Sequence, residues 1–166
     1  QYFAGLAAAG TVGPMGLWGE VAYGGPNPFE KSTNPLEQRM SLSVNKKYLQ
    51  AVVGADYTFP IGNGLLGQGQ YIYRGQGGLF APYAPEEEQK AAHYLYGRFG
   101  YDLSVDSTVD VIILHGFTEK GGIIRPAYTH RFPNSIQLEL SILGAYGEGE
   151  FKLLPSQARV AVTYKF

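Results

Sequence analysis

Cysteine is absent from these 166 residues, which removes disulfide frameworks, thiolate metal sites and cysteine nucleophiles together. Charge is scarce as well: charged residues make up 16% of the chain, against about a quarter in an average globular domain. Lys+Arg 13 balance Asp+Glu 14 for a net charge of −1, so no basic field is available for nucleic acid. Apolar runs of about 18 residues or more are missing, which excludes a membrane-spanning helix. A membrane strand is not excluded, because its signal is alternation. Neither HExxH nor GxSxG occurs, and no repeat of fixed period points to a propeller or solenoid. Helix signals are nearly missing too. Only "PEEEQKAAHYL", Pro85–Leu95, sets proline and acids before an alanine pair, and it predicts one or two helical turns.

What is abundant is glycine and aromatic residues, with Gly 23, Tyr 13 and Phe 9, a mixture suited to strands and turns. Nine extended segments are predicted: Tyr2–Val12, Gly16–Gly24, Tyr48–Phe59, Leu65–Arg74, His93–Ser104, Ser107–Thr118, Ile123–Phe132, Ser135–Tyr146 and Gln157–Phe166. Globular strands average about 5 or 6 residues, whereas crossing a bilayer at a tilt takes about 9 to 11. These segments match the second figure. Their connections alternate. "GPM", "PIGNG", "VD" and "PN" are tight; "GPNPFEKSTNPLEQRMSLSVNKK", "GQGGLFAPYAPEEEQKAA", "EKGGI" and "GEGEFKLLPS" form the other, longer set. Tight turns on one rim and long polar loops on the other suit a transmembrane barrel.

Each segment has two unlike faces. Ile136, Leu138, Leu140 and Ile142 alternate with Ser135, Gln137, Glu139 and Ser141. Ionisable residues fall on the polar faces in mid-strand: Glu20, Asp56, Arg74, Arg98, Asp102, Asp110, Glu139 and Arg159. Facing lipid, each would cost about 2 to 4 kcal/mol at the midplane, so these eight are the candidate lumen-lining residues. Aromatics on the apolar face gather near strand ends, with Tyr57, Phe59, Phe99, Tyr101, Phe132, Tyr164 and Phe166 at one rim. Tyr23, Tyr71, Tyr73, Phe117 and Tyr146 gather at the other. Two such bands are the expected interfacial girdles.

The terminal "RVAVTYKF" resembles the C-terminal β-signal of Gram-negative outer-membrane β-barrel proteins. The matching positions are Arg159, Ala161, Tyr164 and Phe166, with Ala161 where that family usually has glycine. The resemblance implies an all-β, antiparallel up-and-down transmembrane barrel in the bacterial outer membrane, spanning residues 1–166 as one domain or as the C-terminal part of one. It implies as partners the lipid bilayer with its lipopolysaccharide, the barrel assembly machinery and, in an oligomer, further copies of the chain. It also places Phe166 at the periplasmic rim and the long loops outside. Nine strands then start outside, although such barrels have an even count with both ends periplasmic. The favoured expectation is the last nine strands of a larger barrel. The alternative is a closed barrel of eight, with Tyr2–Val12 outside the wall.

Function follows from that choice. A porin-like passive channel for small hydrophilic solutes with a charged lumen is expected first, without enzymatic activity, cofactor or metal. A closed barrel would instead be a structural or adhesive surface protein. A lipid hydrolase in the barrel wall is the third reading, resting on His93, His115 and His130. Ser107 and Asp110 near His115 look suggestive, but eight residues of one strand span about 26 Å, so Ser107 and His115 cannot touch. Each histidine is read as satisfied or interfacial. Glu86–Glu88 is read as a solvated acidic loop, and Gly67 and Gly69 as easing strand curvature.

Overall fold

Alternating residues favour extended chain, and the tight turns decide which segments meet. In the computed structural model, which describes residues 2–25, 47–75, 77–79 and 90–164, all the segments join one sheet. Its strands are β1 Tyr2–Val12, β2 Met15–Gly25, β3 Tyr48–Phe59, β4 Leu65–Arg74, β5 Ala92–Ser104, β6 Ser107–Gly116, β7 Gly121–Arg131, β8 Ile136–Gly147 and β9 Gln157–Tyr164. Every strand pairs antiparallel with its neighbour in sequence, so the topology is up-and-down.

The registers are long and nearly unbroken. Tyr2 faces Gly25 and Val12 faces Met15 across the Gly13–Pro14 turn. One irregularity falls between Asp102 and Ser104, beside the Val105–Asp106 turn. At Pro126, which has no N–H to donate, β7 and β8 lose their pairing for two residues and resume the same register at Ala127. A proline inside a central strand is thus accommodated by a local gap in the ladder.

The sheet is open: β1 and β9 each have a single neighbour. The closed eight-stranded alternative does not hold, because β1 pairs with β2 along its whole length instead of lying outside the wall. The expected helix is corrected over its last four residues, Ala92–Leu95. Of Pro85–Leu95, Ala92 onward is strand, paired with β4 from Ala92 and with β6 from Tyr94, while 85–89 lie outside the described residues. Pairing with β4 outweighs the local helix preference at Ala92. One connection of the longer rim is also short: 117–120 is a four-residue turn, no longer than 132–135 on the opposite rim.

Burial is concentrated at one place. Ala92, Tyr94, Leu114 and Phe151 are buried together, with Ile72, Leu79, Tyr96, Ile123 and Leu154 packed around them. Phe151 comes from a 3-10 helix, Gly149–Leu153, in the connection between β8 and β9. Among the described residues the rest of the sheet is one layer thick, with no second layer on either face.

Candidate functional site

Partners in an antiparallel ladder point to the same side, so the registers sort every strand residue onto one of two faces. One face collects Glu20, Asp56, Arg74, Arg98, Asp102, Asp110, Glu139 and Arg159. Asp56 is opposite Gln68, Gln68 opposite Arg98, and Arg98 opposite Ile112. Asp110 is opposite Ala127, which is opposite Ser141, which is opposite Arg159. All the candidate lumen residues therefore share one side of one sheet. Arg125, opposite Ile112, joins them and was missed by the sequence reading. Its signal was present in "IIRPAYTH", where Ile123, Arg125, Ala127 and Thr129 alternate with Ile124, Pro126, Tyr128 and His130.

On this charged face, neighbouring strands make two ion pairs among the described residues. Arg98 is bidentate to Asp110, with Nε–Oδ1 at 2.8 Å and Nη2–Oδ2 at 2.6 Å. Arg125 Nη2 donates to Glu139 Oε1 at 2.5 Å. The planar guanidinium fork suits the first pair, adding geometry to charge. Thr108 donates its hydroxyl to Asp102 at 2.8 Å, and Arg74 donates to the carbonyl of Gly78 at 3.0 Å. Glu20 and Arg159 are exposed.

The opposite face carries no Asp, Glu, Lys or Arg on any of the nine strands. Aliphatic and small residues fill its middle, and several are open to the surroundings: Leu6 is 73% exposed, Val53 59%, Ile142 59% and Val160 70%. Rings gather at its two ends. At the end bearing the long loops, Tyr2 meets Tyr23, Tyr71 and Tyr73 meet His93, and His115 meets Phe117 and Tyr146. At the tight-turn end, Tyr57 meets Phe59, and His130 meets Tyr128 and Phe132. Of the assembly-signal residues, Arg159 and Ala161 lie on the charged face and Tyr164 on the apolar face. Phe166 lies outside the described residues, as does Glu86–Glu88.

The three histidines each have a hydroxyl partner on the apolar face. His93 Nδ1 is 2.5 Å from Tyr71 Oη, His115 Nδ1 is 3.1 Å from Tyr146 Oη, and His130 Nδ1 is 2.8 Å from Ser107 Oγ. Ser107 and His115 sit at opposite ends of β6, so the geometric objection to that pair holds. Ser107 and His130 instead face each other across β6 and β7, with Tyr128 Oη 3.2 Å from the same Ser107 hydroxyl. That contact could not be read from sequence spacing, because it depends on the register of two strands.

No protein-family model, curated protein or solved structure matches the chain. The fold and its two faces define the class: an open, antiparallel, up-and-down β-sheet with one charge-free apolar side and one side carrying the ionisable groups.

Proposed function

We propose that this chain forms part of the wall of a transmembrane β-barrel in a bacterial outer membrane and acts as a porin-like passive channel for small hydrophilic solutes. The observation that carries the reading is the charge-free face, apolar in the middle and ringed at both ends across all nine strands. Against lipid that face has no formal charge to desolvate, and its tyrosine rings suit the headgroup level. The charged face then borders water, where Arg98–Asp110 and Arg125–Glu139 stay solvated and the remaining ionisable groups set ion preference.

The free edges support a larger barrel. Inside a bilayer an unpaired strand edge leaves backbone groups without partners, each at a cost of several kcal/mol. In an up-and-down sheet of nine, β1 and β9 run in the same direction. An all-antiparallel wall therefore needs an odd number of further strands between them, which makes the total even. The "RVAVTYKF" resemblance to the β-signal fits the same reading.

The experiment is single-channel recording of the full-length protein in planar bilayers. Discrete, reproducible openings are expected, and their absence in folded, inserted protein sinks the channel.

A second reading, lipid-ester hydrolysis, has one observation in its favour: the Ser107–His130 contact, a hydroxyl within reach of a base on the apolar face. His130→Ala in a vesicle hydrolysis assay decides it. A hydrolytic rate that falls to background in the variant supports the enzyme, and no hydrolysis by the parent protein removes it.

A further inference from the structure

The buried cluster lies on the charged face, at the long-loop end, and it is assembled from three separate stretches of chain. The sheet contributes Ala92, Tyr94 and Leu114, the 77–79 stretch contributes Leu79, and the Gly149–Leu153 turn contributes Phe151. Tyr94 is fully buried and its hydroxyl is fully used. It donates to Glu150 Oε1 at 2.5 Å and accepts from the Leu79 N–H at 2.9 Å. Arg74, on the same face, holds the carbonyl of the adjoining Gly78. Both connections are thereby tied to one tyrosine.

The sequence makes room for this arrangement. Gly149 has φ +62°, a left-handed conformation that side-chain-bearing residues rarely adopt, and a Cβ there would collide with Glu119. At Gly116 a Cβ would lie 2.8 Å from the Phe151 ring and 3.1 Å from Tyr94. The turn is thus seated in a fitted recess of the charged face. A solvated loop has no need of a buried phenylalanine or a buried carboxylate on the inner side of the sheet.

We propose that Gly149–Leu153 is a built constriction, latched by Tyr94 and Glu150 over the outer mouth of the lumen, which limits the size of the solutes that pass. The proposal rests on the channel reading and on the charged face bordering the lumen. Tyr94 and Glu150 are positioning residues, and Phe151 is the anchor that keeps the turn inward.

Two measurements on the full-length protein test it. Lys152 is exposed on the turn, so trypsin cleavage after Lys152 reports whether the turn is held, with or without conduction. Tyr94→Phe removes the donated proton and keeps the ring, and Phe151→Ala empties the recess. Each variant is expected to raise cleavage at Lys152 about tenfold, as an ordered turn is released, and to raise single-channel conductance about twofold. Cleavage equal to that of the parent protein in both variants overturns the latch. Faster cleavage with unchanged conductance overturns the constriction while leaving the channel standing. A parent protein that never conducts sinks the channel reading, and the constriction with it.

Discussion

On the proposed membrane reading single side chains meet two different solvents, and substitutions report which one each meets. Asp110 receives both arms of the Arg98 fork, on a part-exposed surface. Exposed pairs are worth about 0–1 kcal/mol, so Asp110→Asn is expected to lower stability by no more than about 1 kcal/mol in urea unfolding. Its larger effect is on charge. Removing the carboxylate leaves the Arg98 cation uncompensated, so the reversal potential in a KCl gradient shifts towards anions. Gly116→Ala tests packing instead. It pushes a methyl group against Phe151 and Tyr94, an overpacking that costs about 1–3 kcal/mol and is read as a lower urea midpoint. The eight charged positions were legible because alternation assigns a face without knowing the fold. The Tyr94–Glu150 bond was not, because its partners are 56 residues apart and meet only when a loop turns back onto the sheet. "GEGEFKLLPS" looks like any polar loop until its path is known.

Strands were the most legible elements, and their ends the least. β1, β3 and β4 begin and end where the sequence pattern placed them, since turn residues bracket alternating runs on both sides. β6 stops at Gly116 instead of Thr118, because 117–120 closes a tight turn that a longer loop had been expected to fill. At Ala92–Leu95 the acidic run and paired alanines suggested helix, but the alternation of His93 and Leu95 with Ala92 and Tyr94 fits a strand paired with β4 from Ala92 and with β6 from Tyr94. Periodicity outlasts propensity here because the strand is fixed by neighbours on both flanks. The two faces of β3 and β4 give the element-scale prediction. Val53 lies mid-strand on the apolar face and Gln68 on the charged face. Val53→Arg is expected to destabilise the vesicle-inserted protein by about 2–4 kcal/mol, whereas Gln68→Arg stays within about 0.5 kcal/mol, as solvated substitutions do. Equilibrium urea titration in lipid vesicles measures both, and equal losses would contradict opposite solvents on the two sides.

At the scale of the whole molecule, the open question for any single-layer sheet is which side holds the water. A soluble barrel and a membrane barrel share one alternation and invert its meaning: apolar inside for the first, apolar outside for the second. The Gly149–Leu153 turn folds onto the charged face, which on the proposed membrane reading is the lumen side. The chain's single tryptophan offers a direct measurement. Trp18 lies on the charged face, opposite Ala9 and Gly54. In a lipid-inserted barrel, aqueous iodide is expected to quench Trp18 and brominated lipids to leave it bright. Moving the probe across the sheet, as Trp18→Phe with Val53→Trp, should reverse both responses, since Val53 is on the face without charge. Quenching of Trp18 by brominated lipid would turn the sheet inside out. Insensitivity of both probes to lipid would mean the apolar face packs against protein rather than a bilayer, and the channel would fall with it.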